Sequence, residues 1–153
     1  MNAVLLSLHV LAAIIAIGPV CVAASMFPAE ARRALTGETG SRLTILARIS
    51  RAYAGVGIAV PVLGMMTAAS MGVLAQPWVI VSMALTLAAA LVLAFAVLPR
   101  QQSLLADVAA HAGAGAAVRQ KIARLGMVTG VFNLLWATVT VLMIVRPGST
   151  TGV

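Results

Sequence analysis

The chain has 153 residues, 62% of them hydrophobic and only 8% charged, against about 25% charged in an ordinary soluble domain. So few charges cannot cover a water-soluble fold of this size, and the bilayer must be the solvent for much of it. The net charge of +7 comes from nine arginines and one lysine against three acids. It lies in short stretches beside apolar runs, with no basic domain, aromatic platform or recognition helix, which argues against nucleic-acid binding.

A lone cysteine, Cys21, excludes an internal disulfide framework and a thiolate zinc cluster. Arginine used in place of lysine, with abundant Ala, Val and Gly, points to a GC-rich bacterial source and so to the bacterial cell (inner) membrane.

Four apolar stretches approach the ~20 residues that a ~30 Å hydrocarbon core requires. They cover Val4–Met26, Tyr53–Met71, Trp78–Leu98 and Met127–Val145. The first lacks the basic leader of a secretory signal and exceeds the usual ~7–15 apolar residues of one. Val20 before Cys21 also makes a poor lipoprotein cleavage site, so the segment reads as a retained helix.

The first connection, residues 27–52, carries Arg32, Arg33, Arg42, Arg48 and Arg51. Within it, Leu43, Ile45, Leu46 and Ile49 share helical spacing with the arginines, which predicts a short amphipathic surface helix over Ser41–Ala52. Thr36–Gly40 before it reads as a turn. The second connection, from Met71 to Pro77, carries no charge. The third has a helical start at Gln101–His111, a Gly113-Ala114-Gly115 joint and a basic lead with Arg119, Lys121 and Arg124. Residues 147–153 read as a disordered tail.

Nine of the ten basic side chains fall in the first and third connections. The positive-inside rule then makes these loops cytoplasmic and puts both termini outside. The expectation is an all-α membrane protein, one domain over 1–153, built as a four-helix bundle.

Without a hydrophobic drive between helices in lipid, small residues should mark the seams. The candidates are Ala12, Ala13, Ala16 and Ala23 beside His9 in the first span; Gly57, Pro61, Gly64 and Ala68 in the second; Ser82, Thr86 and Ala89 in the third; and Gly126, Gly130, Asn133, Ala137 and Thr140 in the fourth. The same stripes would serve a homodimer or another membrane partner. Pro19 and Pro61 should kink their spans.

No Asp, Glu, Lys or Arg lies well inside a span, which removes the parts of a carboxylate relay, an ion-pair carrier or a charged channel ring. His9 remains, on the face shared with Ala12, Ala13 and Ala16. Neutral imidazole suits an axial haem site or a copper site. It equally suits an interfacial histidine bonded to a carbonyl or water. Cys21 lies ~18 Å along the same helix, and His111 belongs to the opposite side, so neither shares a metal with His9. Antiparallel threading brings Met65, Met66 and Met83 to similar depth, and thioether with imidazole suits Cu(I) or a His/Met haem; methionine is also the filler of apolar cores. Asn133 should hydrogen-bond between helices. Trp78 and Tyr53 are placed as belt anchors, and Trp136 as a packing residue.

Leu8-His9-Val10-Leu11 followed by Gly18-Pro19, then Pro61-Val62-Leu63-Gly64, Trp78 and Leu98-Pro99-Arg100, resemble the bacterial family of four-span integral membrane proteins of unknown function. More distantly, they resemble the copper-resistance D domain and the J-type protoporphyrinogen oxidase membrane proteins. The resemblance implies a cofactor-binding role for His9, which holds the place of their first-helix histidine. The oxidase-type relatives carry further charged residues in or near their spans that this chain lacks, so oxidase activity is not implied. Three functions follow as expectations: a non-catalytic accessory or interaction protein that meets anionic lipid at its basic loops; a haem- or copper-binding protein using His9; and a small-solute transporter, with Thr129, Asn133, Thr138 and Thr140 as its polar residues.

Overall fold

The computed structural model describes residues 2–37, 40–110 and 115–148. His111, the Gly113-Ala114 joint and residues 149–153 of the expected tail lie outside them. The described residues form helices α1 (Asn2–Ala34), α2 (Ser41–Val56), α3 (Ala59–Ser70), α4 (Pro77–Val92), α5 (Leu98–Ala109) and α6 (Ala116–Val145), with one π-helical turn, Leu93–Val97, between α4 and α5. No strand occurs among them.

Joined across their short breaks, the elements make four helices long and apolar enough to cross a membrane: Ala3–Ala34, Ser41–Ser70, Pro77–Ala109 and Ala116–Val145. This is the architecture of a multi-pass membrane protein.

Each of the four helices outruns the apolar segment that announced it, and always at the arginine-rich end. Helix α1 continues to Ala34, α2 begins at Ser41, α5 ends at Ala109 and α6 begins at Ala116. These extensions, roughly two to three turns each, form a collar with its own apolar centre. Phe27, Ala31, Leu43, Leu104 and Ile122 are all buried there. The segment expected as a separate surface helix is helical, but it packs against α1 and buries Leu43, Ala47 and Ser50. It runs on into the second span.

Proline explains both breaks. Pro61 cannot donate to the carbonyl one turn back, and the helix yields just before it, at Gly57–Ile58. There Ile58 and Val60 bond three residues back, to Gly55 and Gly57. Pro99 likewise leaves the Phe95 carbonyl without its helical donor. The backbone widens ahead of it, with the Leu98 N–H reaching five residues back to Leu93. Pro19 and Pro28, in contrast, lie inside an unbroken α1.

At the other end a Schellman cap closes α3. Val73 N–H bonds Ala68 O at 3.0 Å and Gly72 N–H bonds Ala69 O at 3.1 Å, with Gly72 at φ +68°. Pro77 then opens α4 at its first turn. The α6 terminus is near by, where the Arg146 guanidinium stands 5.7 Å over the Trp78 ring.

Helix α1 is the hub. It packs on α2, α3 and α6, while α4 packs on α6 and scarcely meets α3. The second and third spans therefore leave a gap between them.

The expected seams divide on this arrangement. Gly64, Ala68, Ser82, Thr86 and Ala89 face inward. On α6 the buried face is instead Ile122, Leu125, Thr129, Phe132 and Val139, and Gly130, Ala137 and Thr140 are exposed. Large Leu and Phe side chains fill the collar and the centre of the bundle where the small residues had been expected to meet. Helix α6 presents its small residues on a flank.

Candidate functional site

His9 is 7% exposed and faces α3. Its Nδ1 lies 3.0 Å from the Val60 carbonyl oxygen. A carbonyl only accepts, so Nδ1 carries the proton and Nε2 keeps its lone pair. Opposite the ring is Gly64. A Cβ at that position would stand 2.9 Å from His9 Cε1 and 3.5 Å from Nε2, so the glycine makes room for the imidazole.

The thioethers of Met65, Met66 and Met83 are on exposed positions. Helix α3 turns Val60, Thr67 and Ala68 inward, while Met65 is 43% exposed and Met83 on α4 is 41% exposed. Met66 is exposed as well. Among the described residues no group of three or more His, Cys, Asp or Glu side chains could hold a metal ion.

Asn133 Nδ2 donates to Ser25 Oγ at 2.9 Å, joining α6 to α1, while its Oδ1 is buried without a partner. Gly18 lies two helical turns before Ser25 on the same flank of α1. Beside Asn133, α6 carries Gly130 and Ala137, and nothing comes within 4 Å of a Cβ built on either Gly18 or Gly130. A shallow furrow of small residues thus follows the α1–α6 joint, with a hydrogen-bonded amide in its floor.

The gap between the second and third spans is an apolar cavity of about 240 Å³. Pro61, Tyr53, Thr86, Phe132 and Trp136 are among its walls. Thr86 bonds the Ser82 carbonyl in its own helix. The Trp136 Nε1–H is buried without an acceptor.

The collar holds two polar features that the apolar pattern of the sequence does not single out. Glu30, 8% exposed, pairs with Arg33 at 2.9 Å and reaches Arg42 of α2 at 4.0 Å. The i,i+3 spacing of Glu30 and Arg33 was a readable signal. Gln101 of α5, fully buried, donates through Nε2 to Ser50 Oγ of α2 at 3.3 Å. Nothing in their spacing announces that pair. A cleft of about 190 Å³ between α5 and α6 is lined by Arg100, Ser103, Lys121 and Arg124.

Comparison of the chain with protein-family models, with curated proteins and with solved structures finds no match.

Proposed function

We propose that the chain is a non-catalytic accessory protein of the bacterial cell membrane, acting by lateral association with a second membrane-embedded chain, either another copy of itself or a different protein. It threads with its basic collar in the cytoplasm and both termini outside, because nine of its ten basic side chains fall in the first and third connections. Those loops also meet anionic headgroups.

The furrow along α1 and α6 carries this reading. Small residues let a partner helix approach closely in lipid. Gly18, Gly130 and Ala137, all on exposed positions, offer the approach. The test is cysteine cross-linking in membranes, in a Cys21→Ser background. Gly130→Cys or Ala137→Cys should cross-link to a partner of defined mass, and Leu91→Cys, on an exposed face of α4, should not. Equal cross-linking at all three positions would reject the furrow as an interface.

A second reading, haem or copper binding, is favoured by one observation. His9 donates its Nδ1 proton to a backbone carbonyl, as metal-bound histidines do through their second nitrogen. Protein purified in mild detergent would then show a Soret band or bound copper that His9→Ala removes. A colourless, metal-free preparation would end this reading.

A further inference from the structure

The α5–α6 cleft gathers three cations, Arg100, Lys121 and Arg124, around one hydroxyl, Ser103. Two are already partly engaged. Lys121 Nζ pairs with Asp107 at 2.7 Å and donates to Ser103 Oγ at 3.3 Å. The Arg100 guanidinium spends one N–H on the Ala96 carbonyl at 2.8 Å, in the π-helical turn that Pro99 imposes. Four of its five donors remain. Ser103, having accepted from Lys121, still has its own O–H to give. Arg124 has no acidic partner among the described residues. The cleft thus holds an excess of two positive charges over its single carboxylate, and its free groups are donors. An acceptor-only anion complements it.

Its depth identifies the anion's source. Trp78 and Arg100 are 22 residues apart, as are Arg124 and Arg146, which is about 33 Å of helix. Trp78 and Arg146 touch at one end of the bundle, so Arg100 and Arg124 stand one hydrocarbon thickness (~30 Å) away at the other. That is headgroup level. From Arg124 the same side of α6 continues through exposed Met127, Val131 and Leu134, at steps of three, four and three, so an acyl chain hanging from the cleft meets an apolar wall. Basic pockets between membrane helices are suited to such headgroups.

We propose that the cleft formed by Arg100, Ser103, Lys121 and Arg124 is a binding site for the phosphodiester of one anionic phospholipid. The proposal rests on the membrane reading above and gives its diffuse lipid contact a defined site.

Native mass spectrometry of the detergent-solubilised full chain, supplied with phosphatidylglycerol or with phosphatidylcholine of the same acyl chains, tests it. Because orientation is irrelevant in a micelle, this result is independent of the partner and threading experiments. One phosphatidylglycerol per chain should be retained at least tenfold over phosphatidylcholine. The pair Arg100→Gln with Arg124→Gln should lose it. Arg48→Gln with Arg51→Gln, which removes equal charge from α2, should keep it. Asp107→Asn, which removes the competing carboxylate and no cation, should raise retention about threefold. Equal loss in both arginine pairs, or equal retention of the two lipids, would overturn the site. Displacement by millimolar inorganic phosphate would reassign it to a soluble anion.

Discussion

His9 on α1 and Val60 on α3 are joined by a single hydrogen bond, Nδ1 to carbonyl oxygen at 3.0 Å, across 51 residues of chain. Gly64 leaves space for the ring that makes it. A net hydrogen bond contributes about 0.5–1.5 kcal/mol. A methyl group forced into a packed contact costs about 1–3 kcal/mol.

Gly64→Ala should therefore destabilise the detergent-solubilised protein by about 1–3 kcal/mol, since the new Cβ would sit 2.9 Å from the imidazole. In a His9→Ala background the same change should cost almost nothing, because its collision partner is gone. A denaturant titration of the four variants measures the coupling. Additive effects would mean that the ring does not pack on Gly64.

Asn133→Ala and Ser25→Ala should each weaken the α1–α6 joint by about 0.6–2 kcal/mol, and the double variant by no more than the larger single effect. The two side chains share one bond of 2.9 Å. Unfolding in mixed micelles provides the comparison, and a fully additive double variant would contradict a shared bond.

The buried Gln101–Ser50 pair should behave differently. Gln101 Oε1 is buried without a donor, so the pair carries an unsatisfied acceptor, which costs about 1–3 kcal/mol. Replacing both, Gln101→Leu with Ser50→Ala, removes that acceptor and should leave stability at or above wild type. Ser50→Ala alone should lower it. A double variant weaker than Ser50→Ala would show that the amide does more than bridge α2 and α5.

Glu30 should tie α1 to the start of α2 through charge. Glu30→Gln keeps the shape and removes the attraction to Arg33 and Arg42. Because both arginines are largely exposed, the loss should stay near 1 kcal/mol or below and should shrink at high salt. Thermal unfolding at low and high ionic strength measures it.

The four apolar lengths were legible because lipid imposes a length and a composition on any helix that crosses it. The collar was not legible from apolar runs, which stop where Arg32, Arg42, Arg100 and Arg124 begin. The helices continue there with Phe27, Leu43, Leu104 and Ile122 on one inward face. His9 was visible as the one histidine within a span, but its partner is a backbone carbonyl, which has no residue type to recognise. The α6 stripe of small residues was readable as a stripe. Which way it faced depended on Phe132 and Leu125 filling the interior, and only three-dimensional packing decides that. A π-helical turn precedes Pro99, and Arg100 beside it lines the basic cleft; a proline in a sequence does not say whether a helix will kink, break or widen.

The cytoplasmic placement of the basic collar rests on the charge asymmetry of the connections, and paired reporters measure it directly. Alkaline phosphatase or green fluorescent protein is fused after Val153 and, separately, after Gly37. A cytoplasmic collar with both termini outside gives phosphatase activity without fluorescence at Val153, and fluorescence without phosphatase activity at Gly37. Fluorescence after Val153 would put that end in the cytoplasm and contradict the threading.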